Sequence, residues 1–127
     1  IAGALGLKTW LKSPIDWQQF SRARVQAETA AGKPVFVSFT ASWCTSCKAN
    51  MLAFNERVAR RFRELDVVAL EADWSRQPPE LTEVLAGFGR RSVPFYVIYP
   101  ADPERDPIIL PETLTPGVVL DALEKLE

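Results

Sequence analysis

Residues 35–48 decide the fold of this chain, and they read VFVSFTASWCTSCK. The stretch from Val35 to Thr40 consists mainly of β-branched and aromatic residues, which is typical of a buried strand. The sequence then turns helical from Thr45 to about Phe62, and the inward positions expected there are Met51, Leu52, Phe54, Val58 and Phe62. Cys44 and Cys47 therefore lie where a buried strand passes into the start of a helix.

Predicted helices and strands alternate along the rest of the chain. Ser13 and Pro14 have the pattern of an N-cap and a first helical residue, and the helix that they begin is expected to run to Ala31, before Gly32-Lys33-Pro34. The remaining predicted elements are a strand at 66–72, a helix from Pro78-Pro79 to Gly87 or Gly89, strands at 95–99 and 108–110, and a last helix capped by Thr115-Pro116.

This order predicts an α/β fold of one domain. Strands separated by helices pair in parallel, and the short gap between the last two strands indicates an antiparallel hairpin. We expect a central mixed sheet of about four strands flanked by helices, with an extra N-terminal helix. The domain should cover residues 13–127 and follow an extension at residues 1–12.

The composition excludes several kinds of site. The 127 residues carry 15 basic and 16 acidic side chains, and a net charge of -1 gives no general attraction to nucleic acid or anionic lipid. Arginines cluster at 57–63 and at 90–91, which is more typical of a solvated surface than of nucleic-acid binding. With no histidine and two cysteines, the chain alone supplies neither a structural zinc site nor a cysteine–histidine catalytic pair. We expect no metal and no cofactor.

The spacing of the two cysteines favours redox chemistry. The start of a helix offers unpaired N–H groups that stabilise a thiolate, and two intervening residues let the second cysteine attack a mixed disulfide formed by the first. One alternative is a stapling disulfide, although so short a loop would contribute only about 2 kcal/mol. The other is half of a metal site shared between subunits.

The motif and its surroundings resemble the thioredoxin superfamily, and within it the C-terminal periplasmic domain of the thiol:disulfide interchange protein DsbD. The segments that carry the resemblance are Gly32-Lys33-Pro34-Val35, Phe39-Thr40-Ala41, Trp43-Cys44, Cys47-Lys48, Asn50, Ala72-Asp73-Trp74, Val93-Pro94 and the stretch from Leu110 to Pro116. The resemblance implies a thioredoxin fold and a protein-disulfide reductase in the bacterial periplasm. Such a domain takes electrons from a membrane-embedded donor domain and passes them to a periplasmic acceptor domain.

The resemblance also implies roles for individual residues. Cys44 would be the attacking thiolate, Cys47 the resolving thiol, and Pro94 a cis-proline that faces them. Val93 would offer its backbone to an extended segment of the partner. The residues expected to support the site are Trp43, Thr45, Ser46 and Lys48.

Two other functions stay open at this point. One is a different periplasmic reductase or oxidant, such as a reductase in cytochrome c maturation, and the other is a non-catalytic binding module with the same fold. The apolar start from Ile1 to Leu7 is too short to span a bilayer and lacks the basic start of a signal peptide. It fits either a mature end or a domain that follows a membrane segment.

Two positions depart from the pattern of these relatives. They usually carry a buried acid six residues before the first cysteine, where this chain has Ser38, and a glutamate seven residues after it, where this chain has Met51. Without these carboxylates we expect a lower pKa for Cys44 and a more oxidising disulfide, because like-charge repulsion on the thiolate is absent. Glu71, on the adjacent predicted strand, is a candidate to replace them.

Overall fold

The computed structural model describes residues 14–127, so the predicted extension at 1–12 and the predicted N-cap Ser13 lie outside the described residues. The elements, in chain order, are β1 (Gln18–Gln19), α1 (Arg22–Ala30), β2 (Val35–Thr40), α2 (Thr45–Asn50), a 3-10 turn (Met51–Ala53), α3 (Glu56–Glu64), β3 (Val68–Asp73), α4 (Pro79–Gly87), β4 (Phe95–Tyr99), β5 (Ile108–Ile109) and α5 (Pro116–Glu124). Within the described part of the chain, no helix is long and apolar enough to cross a membrane.

The strands form one mixed sheet in the order β1-β3-β2-β4-β5. β2 runs parallel to β3, with Val35 opposite Val68, and β1 also pairs with β3 in parallel. β4 runs antiparallel to both β2 and β5. The mixed sheet, the parallel pairing and the terminal hairpin are therefore confirmed, and β1 adds a fifth strand that the sequence did not predict.

Side chains that alternate along β2 divide the core between the two faces of the sheet. Phe36 contributes to a cluster with α3 and α5, whereas Val35 and Val37 contribute to a cluster with α4. The helices on the first face bury Val58 and Leu123, and α4 buries Leu85 on the second. Because β2 is covered on both faces, all of its residues except Thr40 are buried, as the continuous apolar run predicted.

The prediction for the N-terminal helix was wrong at its start. The helix begins at Arg22, and its N-cap is Ser21, whose hydroxyl accepts a hydrogen bond from the Arg24 N–H. Ile15 and Phe20 are buried, as a helical pattern suggested, but they lie before the helix and belong to opposite clusters. The end of the helix was predicted well, because Gly32 adopts a φ of 86°, which a residue with a side chain rarely takes up.

The single helix predicted from Thr45 to Phe62 is also interrupted. α2 ends at Asn50, the 3-10 turn follows, and α3 starts anew where the Asn55 side chain accepts a hydrogen bond from the Val58 N–H at 3.0 Å. This cap was not recognised in the sequence. The interruption turns Leu52 to solvent, where it is 84% exposed, so its assignment to the core was wrong.

Candidate active site

The two cysteines lie at the carboxyl end of β2, where the strand passes into α2. Cys44 is the N-cap residue of α2, and its Sγ accepts a hydrogen bond from the Cys47 N–H at 3.1 Å. A disulfide joins the two residues across a Cα–Cα distance of 5.3 Å. Cys44 is 6% exposed and Cys47 is 2% exposed, so the first cysteine is the more accessible of the two.

Val93 and Pro94 come directly before β4, and Val93 borders the cysteines. The peptide bond between Val93 and Pro94 is cis, as the resemblance implied. Val93 packs against a small buried cluster made of Ala41, Cys44 and Cys47. Because β4 runs antiparallel to β2, its start lies at the same end of the sheet as the cysteines. Two distant parts of the sequence thus meet at one site.

Trp43 lies beside the disulfide with 51% of its surface exposed. Its indole Nε1–H donates to the carbonyl oxygen of Ser75 at 2.9 Å, and its ring lies 6.1 Å from that of buried Trp74, measured between centroids. These contacts hold one side of the indole against the loop that follows β3. The rest of the indole is exposed to solvent.

Ser75 binds the cysteine loop through its side chain as well. Its hydroxyl oxygen accepts a hydrogen bond from the Ser42 N–H at 2.7 Å, and its hydroxyl donates to the Asp73 carboxylate at 2.5 Å. The Ser75 N–H donates to the same carboxylate oxygen at 2.9 Å. These two hydrogen bonds hold the pKa of Asp73 below its usual value, and the bond from the Ser75 hydroxyl has the larger effect. Sequence reasoning missed Ser75, although an Asp-x-Ser pattern directly after a strand is a signal for such a turn.

Asn50 ties the end of α2 to the segment that follows β5. Its buried side chain donates to the Tyr96 hydroxyl at 3.0 Å and to the Glu112 carbonyl at 2.6 Å, and it accepts from the Leu114 N–H at 3.1 Å. Asn50 therefore forms three of the four hydrogen bonds that a primary amide can make. The sequence offered Asn50 only as part of the family resemblance.

Ser38 and Met51 are the two positions where the relatives usually carry an acid. Ser38 is 2% exposed and stands in register between Glu71 on β3 and Tyr96 on β4. Residues in register share a face of the sheet, so Glu71 is on the same face as Ser38. Burial, and secondarily the negative charge of Asp73, raises the pKa of the Glu71 carboxyl. Met51 is half-buried at the start of the 3-10 turn.

The other predicted supporting residues lie in α2. Thr45 and Ser46 separate the cysteines and are exposed in the first turn of the helix. Lys48 is also exposed, and its backbone N–H donates to the Cys44 carbonyl at 3.2 Å. The structure therefore brings all the predicted site residues to one end of the sheet.

A family model described as thioredoxin-like matches residues 16–101. The chain belongs to the thioredoxin-like family. Its fold is shared by a thioredoxin from Thermus thermophilus, with a TM-score of 0.70 and 17% identity, over 89% of this chain and 87% of that one. The oxidised C-terminal domain of DsbD from Neisseria meningitidis is similar with a TM-score of 0.63 and 21% identity, over 87% of this chain and 99% of that domain.

One curated relative is similar in sequence as well. This thioredoxin-like chain is 33% identical over 85 residues to the thiol:disulfide interchange protein DsbD of Ralstonia nicotianae. The aligned region is 66% of this chain but 14% of that protein. Together with the Cys44–Cys47 disulfide, these similarities establish a thioredoxin-like thiol–disulfide oxidoreductase related to DsbD.

Proposed function

We propose that this protein is a periplasmic electron relay that works by dithiol–disulfide exchange, taking electrons from a membrane-embedded donor domain and passing them to a periplasmic acceptor. The observation that carries the proposal is the disulfide between Cys44 and Cys47 at the start of α2, with Val93 packed against both cysteines. The similarity to DsbD supports the direction of electron flow and the compartment.

The exchange needs only the two cysteines and a partner disulfide, so the relay needs no metal or cofactor. In the reduced protein, the Cys44 thiolate attacks one sulfur of the partner disulfide and expels the other as a thiolate. Cys47 then attacks the Sγ of Cys44, which re-forms the disulfide of this protein and releases the second partner thiol. Two electrons pass to the partner, and the two thiol protons of the relay end on the partner thiols.

The environment of each cysteine supports this division of roles. Cys44 is the more exposed of the pair, and the Cys47 N–H that reaches its Sγ would stabilise a thiolate there. Cys47 lies deeper, where it meets Cys44 but is screened from a partner. Val93, which packs against the cysteines, would offer its backbone to an extended partner segment, and exposed Trp43 would cover the mixed disulfide.

The proposal is tested by trapping and by redox equilibrium. A Cys47→Ser variant should accumulate mixed disulfides with periplasmic proteins through Cys44, whereas a Cys44→Ser control should accumulate far fewer. The wild-type protein should reduce the disulfides of insulin with dithiothreitol as the electron source. Its reduction potential, measured in glutathione buffers, should lie nearer that of thioredoxin (about -270 mV) than that of DsbA (about -120 mV).

The open alternatives predict other results. A potential near the DsbA value would indicate an oxidant in place of a reductase. Absence of thiol-dependent insulin reduction would indicate a binding module that has kept the fold. A reductase of cytochrome c maturation would be recognised by the identity of the protein trapped on Cys47→Ser.

A further inference from the structure

The end of the sheet that holds the disulfide is more positive than the rest of the chain. The segments that meet there are α2 with the loop before it, the loop after β3, the loop before β4 and the loop after β5. They carry four cations, Lys48, Arg76, Arg90 and Arg91, and one carboxylate, Glu112; a second carboxylate, Asp73, ends β3 beside them. The local net charge is therefore +2, in a chain whose total is -1. We call the four cations the cationic rim.

Arg76 and Arg91 lie close in sequence to residues that contact the cysteines or the loop that carries them. Arg76 follows Ser75, which is hydrogen-bonded to Ser42 and Trp43 on the cysteine loop. Arg91 precedes by two residues Val93, which packs on the cysteines. Both arginines are exposed. The two side chains therefore lie on loops that flank the cysteine pair from different strands.

Lys48 lies on the cysteine helix, and Arg90 lies next to Arg91 in the loop before β4. Lys48 is exposed on α2, one turn beyond Cys44. Arg90 lies with its guanidinium carbon 5.2 Å from the centre of the Phe95 ring and forms an ion pair of 3.5 Å with Glu112. Asp73, which accepts both Ser75 hydrogen bonds, stays charged and also attracts Arg76. Because four cations face two carboxylates, the rim keeps an excess of positive charge.

We infer that the cationic rim binds an acidic, extended segment flanking the reactive disulfide of the partner protein. The inference rests on the proposed function, since it describes the partner of the same cysteine pair. Exposed Trp43 offers an apolar contact inside the rim, and acidic residues on either side of the partner's cysteines would lie against the arginines. Complementary charge acts chiefly on the association rate and on the choice of partner.

Peptide disulfides test this directly. Three synthetic peptides share one intramolecular disulfide loop and differ only in having acidic, uncharged or basic flanks. Each is mixed with pre-reduced protein in a single turnover, and the rate constant for re-forming the Cys44–Cys47 disulfide is measured by quenching and thiol alkylation. At low ionic strength the acidic peptide should react at least about tenfold faster than the basic one. The ratio should fall toward one at about 0.5 M salt, where charges at the surface are screened within a few Å.

A pair of matched variants locates the effect on the rim. Arg76→Glu/Arg91→Glu should abolish or invert the acidic-to-basic ratio. Arg60→Glu/Arg63→Glu changes the net charge equally on exposed positions of α3 and should keep the ratio. A change in thiolate reactivity would scale all three peptides alike, so the ratio reports charge recognition alone. If the first variant does not fold, Arg76→Gln/Arg91→Gln should reduce the ratio by a smaller factor.

The outcomes separate this inference from the proposed function. If the uncharged peptide is reduced and the wild-type ratio is near one, the rim does not select an acidic segment. The same conclusion follows if Arg60→Glu/Arg63→Glu lowers the ratio as much as the rim variant. If none of the peptides is reduced, both the rim inference and the relay function are overturned.

Discussion

The side-chain oxygen of Asn50 accepts a hydrogen bond from the backbone N–H of Leu114 at 3.1 Å, across 64 residues of sequence. Through this bond, the helix that carries Cys47 is fastened to the segment between β5 and α5. The amide of Asn50 also donates to the Tyr96 hydroxyl, so one buried side chain joins three parts of the fold. The position of the cysteine helix therefore depends on a residue that takes no part in the exchange itself.

Asn50→Ala should lower the free energy of unfolding by about 2 to 4 kcal/mol, because it leaves the Leu114 N–H without its acceptor and removes two further hydrogen bonds. Urea denaturation of the oxidised protein measures this. Asn55→Ala, which removes only the cap of α3, is the comparison and should cost about 1 kcal/mol. If Asn50→Ala loses no more stability than Asn55→Ala, the buried amide does not contribute strongly to the stability of the fold.

Ser75→Ala should loosen the loop that carries Trp43. The variant removes the acceptor of the Ser42 N–H and the hydroxyl donor to Asp73, both at the surface, so we expect a loss of about 0.5 to 1.5 kcal/mol. Near-ultraviolet circular dichroism of the Trp43–Trp74 pair should weaken. Ser75→Thr keeps the hydroxyl and should restore both signals, and an unchanged spectrum in Ser75→Ala would contradict this role.

Ser75→Ala should also change how the free energy of unfolding depends on pH. Ser75 lowers the pKa of Asp73, so the stabilisation by this carboxylate is present above the ordinary pKa of 3.8 and is lost as the pH falls through the lower value of the folded state. The difference in the free energy of unfolding between wild type and Ser75→Ala should therefore be largest near neutral pH and shrink in strong acid. Urea midpoints at neutral and acidic pH measure this, and a difference that grows in acid would contradict it.

Glu71→Gln should have the opposite dependence on pH. Burial raises the pKa of Glu71 above its ordinary value of 4.5, so the folded state favours the protonated form, and stability is lost as the pH rises through the raised pKa. The neutral amide avoids this loss. Glu71→Gln should therefore gain stability relative to wild type between about pH 4.5 and neutrality, measured by urea denaturation. Glu124→Gln, at an exposed position in α5, is the control for removing a carboxylate. A difference in the free energy of unfolding between Glu71→Gln and wild type that stays constant across this pH range would contradict the prediction.

The parts of the fold that the sequence predicted are those with a local signature. The apolar run of β2 is buried on both faces, and the cysteine pair follows it at a strand-to-helix junction. Gly32 and the Thr115 cap mark a helix end and a helix start through local backbone and side-chain chemistry. In each case a few neighbouring residues determine the conformation.

The parts that the sequence did not predict depend on partners far along the chain. β1 consists of Gln18 and Gln19, both exposed, and its strand conformation comes from backbone pairing with Leu70 and Glu71. Asn50 and Ser75 likewise act through residues 64 and 33 positions away. Polar side chains of this kind have no periodicity, so their roles become visible only in the folded structure.

Ser38→Asp should raise the pKa of the Cys44 thiol and make the disulfide more reducing. Ser38 is buried in register with Tyr96, whose hydroxyl bonds Asn50 three residues beyond Cys47, so a carboxylate there would repel the thiolate through a poorly solvated region. Each 1.4 kcal/mol of repulsion shifts the potential by about 30 mV. The pH dependence of Cys44 alkylation and equilibration with glutathione measure the two effects. Ser38→Asn, which adds volume without charge, is the control. Equal pKa values for Cys44 in wild type and Ser38→Asp would show that the absent acid does not set the reactivity of this cysteine.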